Sequence, residues 1–117
     1  SGSGRAKPLD GASDEAMTAE AWKAEGNACL TAGDDEGAAA CYSHGIEAAE
    51  LEGLTSGRLL SQLRSNRAQA LLRLGDAQGA VEDCEAAIRC DPSNGKAYWR
   101  GASAAGKLAR YDAMADT

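Results

Sequence analysis

The stretch Ala19-Glu20-Ala21-Trp22-Lys23-Ala24-Glu25-Gly26-Asn27-Ala28-Cys29, followed by Gly33-Asp34 and then by Ala38 and Tyr42, decides the fold. A large wedge, a small residue and an aromatic recur at helical spacings on either side of a Gly-Asp punctuation. Gly33 suits the left-handed residue that ends a helix, and Asp34 can cap the helix that follows. The order returns from Ser61 through Ala68, Leu71, Gly75-Asp76, Ala80, Cys84 and Ala87-Ile88 to Asp91-Pro92. A third copy starts at Gly95, 34 residues after Ser61, with Tyr98 and Ala102 standing where Trp22 and Gly26 stand in the first. Each copy reads as two helices. Pro92 cannot continue a helix, and Ser93 or Asn94 can start the next one.

This residue order is similar to the tetratricopeptide pattern, departing at Glu25, where Leu is usual. The expected architecture is all-α, a superhelix of antiparallel helix pairs with about two and a half repeats. Gly26, Ala38, Ala68, Ala80 and Ala102 are expected to let paired helices approach closely, while Trp22, Tyr42, Leu71 and Tyr98 fill the space left. The repeats divide as residues 19–60, 61–94 and a truncated 95–117. The first is longer than its period by eight residues, which fall within Glu50 to Leu60 and are expected to lengthen the helices on either side of a Gly-bounded turn. The third breaks off after Tyr111, with Met114 where Ala38 and Ala80 stood. A stacked repeat leaves its last apolar face uncovered without a neighbour, so the chain reads as part of a longer protein. Two copies are expected to pair as a homodimer through the surface near Tyr98, Leu108 and Tyr111. Residues 1–18, opening Ser-Gly-Ser-Gly, read as a cloning scar and flexible linker.

Composition narrows the function. The 117 residues carry 12 Lys and Arg against 18 Asp and Glu, a net charge of -6, which argues against nucleic acid as a partner. With 4% aromatic residues and no Phe, an Ala- and Leu-rich core favours close-packed helices over sheets. No apolar run reaches the roughly 18 residues that span a bilayer, so no membrane partner is expected. Cys29, Cys41, Cys84 and Cys90 form no metal-ligand spacing, and read as small buried hydrophobes in a reducing, cytoplasmic compartment. No metal, cofactor or catalytic residue is expected. Gly101 to Leu108 nearly spells a phosphate-binding loop, but Leu108 replaces the hydroxyl residue and no strand precedes it. His44 lacks a nucleophile partner and reads as a solvated residue.

Charge sorts by helix. The first helices of the second and third repeats carry Arg58, Arg64, Arg67, Arg73, Lys96, Arg100 and Lys107 with no acid among them. The second helices carry Asp34, Asp35, Glu36, Glu47, Glu50 and Glu52, then Asp76, Glu82, Asp83 and Glu85, with Arg89 the lone base. Residues four apart share a helical face, which aligns Lys23 with Asn27, Gln62 with Asn66, and Lys96 with Arg100. Long cationic and amide side chains together are what closely spaced carboxylates require.

The segments Lys23-Ala-Glu-Gly26-Asn27, Ser65-Asn66-Arg67-Ala68 and Lys96-Ala-Tyr98-Trp99-Arg100 resemble the carboxylate-clamp tetratricopeptide domains of heat-shock co-chaperones. In that family first helices line the concave side, so the resemblance implies a basic groove on an acidic body. It also implies a ligand, the free C-terminal Glu-Glu-Val-Asp of the ninety- or seventy-kilodalton heat-shock chaperones. Lys23, Asn27 and Asn66 would hold the terminal carboxylate, Lys96 the Asp side chain, and Arg100 the peptide backbone or an upstream Glu. Lys23 and Arg100 are both expected to be exposed. Gln62 and Arg73 are candidate additions to the groove. Charge-assisted hydrogen bonds of about 1.5–3 kcal/mol each, set against the cost of ordering a peptide, imply roughly micromolar affinity. The alternative is a generic repeat scaffold that takes an internal segment of another protein.

Overall fold

A computed structural model describes residues 17–115. The expected leader lies outside the described residues except for Met17 and Thr18, as do the last two residues of the third repeat. The described chain forms five α-helices, α1 Ala19–Thr31, α2 Asp35–Leu51, α3 Arg58–Arg73, α4 Ala77–Cys90 and α5 Gly95–Ala115. Consecutive helices pack as antiparallel neighbours, and α3 and α5 also touch across the array.

The helix ends follow their local chemistry. Thr18 caps α1, its hydroxyl accepting from the Ala21 N–H at 3.1 Å. Asp34 and Asp76 cap α2 and α4 through bonds from Gly37 N at 2.9 Å and Gly79 N at 2.8 Å. Gly33 and Gly75, at φ 85° and 90°, make the left-handed turns that place those caps. Asn94 opens α5, its side-chain oxygen accepting from Ala97 N at 3.2 Å. Around the eight extra residues, α2 is 17 and α3 16 residues long, against 13 for α1 and 14 for α4.

Small residues set how closely the helices pack. A Cβ on Gly26 would lie 2.6 Å from the ring of Tyr42, which is fully buried. One on Gly45 would lie 2.7 Å from Leu63. These two contacts clamp α1 and α3 onto α2, around Tyr42, Ile46, Leu60 and Leu63. A second cluster joins Ala68, Ala80, Cys84 and Ala104 across α3, α4 and α5.

The third repeat departs from expectation. Tyr98 is 49% exposed instead of filling a core. Ala102 is also exposed, and Gly101 makes the close approach, its absent Cβ lying 3.1 Å from Cys84 Cβ. Both departures have one cause. Residues 98 and 102 sit on an exposed face of α5, on which no helix packs among the described residues, whereas 101 and 104 face α4. No second helix begins near Tyr111, since α5 continues unbroken to Ala115. Tyr111 and Met114 are exposed and Leu108 is half-buried. In the earlier repeats, Trp22 and Leu71 are half-buried where full burial was expected. The Trp22 ring instead rests on His44, with centroids 4.7 Å apart.

Candidate functional site

A cavity of about 640 Å³ opens between α1, α3 and the start of α5. Its walls include Lys23 and Asn27 from α1, Gln62, Ser65 and Asn66 from α3, and Asn94 and Lys96 from the α4–α5 corner. Four of the five clamp residues read from the sequence thus meet in one space, with Gln62 beside them. The fifth, Arg100, stands behind the wall. Its guanidinium donates to the Asn66 side-chain oxygen and to the Ser65 carbonyl, both at 3.1 Å. Arg100 is therefore half-buried and not exposed, and Lys23, held by its bond to Gln62, is half-buried as well where exposure was expected. Burial works against its charge and lowers its pKa, opposed by Cys84 and Tyr42 nearby.

The amides are held in a chain. Tyr42 donates its hydroxyl to the Asn27 oxygen at 2.5 Å, and Asn66 Nδ2 donates to the same oxygen at 3.2 Å. With its oxygen doubly engaged, Asn27 keeps both amide protons for an acceptor in the cavity. Asn66, whose oxygen takes Arg100, keeps one. Burial pushes the Tyr42 hydroxyl up to about 12, so at neutral pH it remains a donor. Lys23 reaches Gln62 Oε1 at 2.8 Å and Glu20 at 3.6 Å, contacts that leave its ammonium a donor for the cavity. The α5 corner is fixed separately. Asn94 Nδ2 donates to Ser61 Oγ at 2.9 Å and Ser65 Oγ at 3.3 Å, while Ser61 donates to the Ala87 carbonyl at 2.7 Å. Ammonium, amide and hydroxyl groups thus converge on one space, and the lining holds no cysteine or histidine. Such a donor set suits carboxylate oxygens.

Not every base of the first helices faces this cavity. Arg67 forms two bonds of 2.7 Å to the buried Asp83 and a third to Ser43 at 3.0 Å. Arg64 lies 3.5 Å from Glu50 and 3.8 Å from Asp83. Arg73 binds Asp35 and the Leu30 carbonyl, each at 3.1 Å, and does not line the cavity. The cations on the cavity wall are Lys23, Arg58 and Lys96, with Asp91 as the acid at the rim.

Sequence reasoning missed the orienting role of the Tyr42 hydroxyl and the place of Arg58. A buried phenol needs a partner, which was the available signal for the first. Arg58 stands four residues before Gln62 and hence on its face. Cys29 and Cys84 are buried, and none of the four cysteines is in a disulfide. Burial raises Cys84 to about 11, far from the range of a nucleophile. Among the described residues no group of His, Cys, Asp and Glu is placed to hold a metal, and no helix is long and apolar enough to cross a membrane.

No family model matches the chain. Two solved structures superpose well. The first tetratricopeptide domain of Spaghetti (RPAP3), bound to the HSP90 peptide SRMEEVD, matches with TM-score 0.67 and 30% identity over 80% of this chain and 70% of that one. The second tetratricopeptide domain of the same protein, bound to the same peptide, gives TM-score 0.68 and 32% identity over 80% of each chain. The chain belongs to the tetratricopeptide-repeat family. Tetratricopeptide repeat protein 12 of Mus musculus is 38% identical over 95 residues, which are 81% of this chain and 12% of that protein. A STIP1 homolog of Dictyostelium discoideum is 31% identical over 86% of this tetratricopeptide chain and 16% of its own length. The chain spans 12% of the length of the tetratricopeptide repeat protein 12 relatives it matches.

Proposed function

We propose that this tetratricopeptide domain is a co-chaperone module that captures the free C-terminal peptide of a heat-shock chaperone, of the ninety- or seventy-kilodalton class, ending Glu-Glu-Val-Asp. The observation that carries the reading is the convergence of Lys23, Asn27, Asn66 and Lys96 on one cavity, with the Asn27 oxygen engaged by Tyr42 and Asn66 so that its amide protons remain for a ligand. Two neighbours of the same fold hold a peptide ending Glu-Glu-Val-Asp, which supports that ligand class. Asn27 and Asn66 give directed donors to the terminal carboxylate, with Lys23 supplying charge. Lys96 meets the Asp side chain. Arg100 acts through Asn66, whose oxygen it holds, more than by direct contact. The domain acts by binding and not by catalysis, in the cytoplasm.

The test is calorimetric titration of a peptide ending Glu-Glu-Val-Asp against its C-terminally amidated form. The free acid is expected to bind at roughly micromolar affinity, weakening with salt, and the amide at least ten-fold more weakly. Lys23→Ala should lose most of the binding while the domain stays folded. Equal affinity for acid and amide would sink the clamp and favour a scaffold that takes an internal segment.

A further inference from the structure

Arg58 is the one cation of the cavity wall that the clamp assignment leaves unused. It opens α3 directly after Gly57, whose φ of 107° turns the chain out of the 52–57 loop. The Gly57 N–H donates to the Cys90 carbonyl at 3.0 Å, so the first residue of α3 is tied to the end of α4. Arg58 shares the cavity wall with Asp91, Ser93 and Asn94. Arg58 is exposed and makes no hydrogen bond or ion pair among the described residues. Asp91 lies near enough for the guanidinium to favour its charge, but its carboxylate is turned to Ser93, accepting from N at 3.0 Å and Oγ at 2.7 Å. Over the whole wall Lys23, Arg58 and Lys96 outweigh Asp91.

Arg58, Gln62 and Asn66 follow at intervals of four along α3 and share one face. Eight residues at 1.5 Å each separate Arg58 from Asn66 by about 12 Å of helix axis. An extended peptide advances about 3.3 Å per residue, so a chain anchored by its terminus at Asn66 brings a side chain two to four residues upstream within reach of the long Arg58 side chain. The acid Asp91 repels the terminal carboxylate itself from this end and leaves it the amide end.

We propose that Arg58 forms a second anion subsite in the cavity, which reads a carboxylate side chain two to four residues before the C-terminus of the bound peptide. The subsite rests on the clamp reading of the same cavity and extends it into a sequence preference. It is supplied by the eight extra residues of the first repeat, which lengthen α3 at its N-terminal end so that this face carries a donor before Gln62.

The experiment measures dissociation constants by fluorescence anisotropy for labelled peptides ending Glu-Glu-Val-Asp and Gln-Gln-Val-Asp, and for the amidated form of the first. Wild-type, Arg58→Gln and Arg58→Lys proteins are compared. The wild type should prefer the Glu-Glu peptide by about two- to five-fold, the range an exposed charge pair contributes. Arg58→Gln should erase that preference without weakening the Gln-Gln peptide, and Arg58→Lys should restore part of it. Equal wild-type affinity for both free-acid peptides, while the amide still binds poorly, would overturn the subsite and leave the clamp standing. A preference that survives Arg58→Gln would overturn it too. Equal binding of acid and amide would remove the clamp, and the subsite with it.

Discussion

Replacing Tyr42 by Phe removes one atom and separates two roles of that residue. The ring is fully buried against Gly26, so Phe keeps the packing. The hydroxyl that disappears donates to the Asn27 oxygen at 2.5 Å. A neutral hydrogen bond contributes about 0.5–1.5 kcal/mol net, and Asn27 is exposed, so water can replace the donor in part. The expected loss is about 1 kcal/mol of stability, or a fall of about 4–8 °C in Tm for a domain of this size. Binding should weaken as well. With only the 3.2 Å bond from Asn66 left on its oxygen, the Asn27 amide can turn its oxygen toward the ligand carboxylate. The expected loss of affinity for the Glu-Glu-Val-Asp peptide is about three- to ten-fold. Calorimetric titration of wild type, Tyr42→Phe, Asn27→Ala and the double variant reads the coupling. In the Asn27→Ala background, Tyr42→Phe should cost almost nothing further in binding, because the hydroxyl acts through that amide. A lowered Tm with unchanged affinity, or equal losses in both backgrounds, would refute the orienting role.

Two further perturbations follow from groups away from the peptide. Arg67→Met strips two 2.7 Å bonds from the buried carboxylate of Asp83, leaving it Arg64 at 3.8 Å, and should cost on the order of 3 kcal/mol in urea unfolding. Arg67→Met combined with Asp83→Leu should recover most of that, and peptide affinity of the folded fraction should not change, because this pair lies outside the cavity lining. Burial raises Cys84 from 9.0 to about 11 and Tyr42 from 10.0 to about 12, so the unfolded chain loses these protons first. The stability that depends on the neutral forms is complete below pH 9 and is lost as pH climbs from 9 to 12, by on the order of 2 kcal/mol per group. Tyr42→Phe should remove the part between pH 10 and 12; identical pH profiles for the two proteins would refute the assignment.

The fold was legible because its signals are local. Gly33-Asp34 and Gly75-Asp76 give both the turn and the cap, and the backbone adopts both. That Lys23, Asn27, Gln62 and Asn66 share one cavity was legible in the same way, since a spacing of four puts each pair on one helix face, whereas the same spacing between Lys96 and Arg100 did not bring both to the wall. The misses are tertiary. Arg64, Arg67 and Lys96 all count as bases on first helices, but sequence order does not say which of them meets an acid on a neighbour. Asp83 decides it for Arg67, and nothing near position 67 announces that Asp83 is 5% exposed. Lys23 and Arg100 were expected to be exposed as donors to a ligand, yet Gln62 holds the first, and the Ser65 carbonyl and Asn66 give the second partners that make partial burial acceptable. Ala102 and Tyr98 fit the repeat pattern, but among the described residues no helix packs on that face of α5.

A net charge of -6 does not prevent the cavity from holding an acidic peptide, because the total is not what the peptide meets. Asp83 and Glu50 are spent on Arg67 and Arg64, and Asp35 on Arg73. Asp34 and Asp76 accept from helix N-termini. Across the cavity wall the balance is Lys23, Arg58 and Lys96 against Asp91. At physiological ionic strength a charge acts over about 8 Å, so exposed acids beyond that distance are largely screened from a ligand in the cavity. Low salt lengthens that reach and strengthens cavity attraction and body repulsion together. The local cations are nearer, and fall least under screening, so the net effect of added salt on affinity should be a weakening shallower than three cavity cations alone would give.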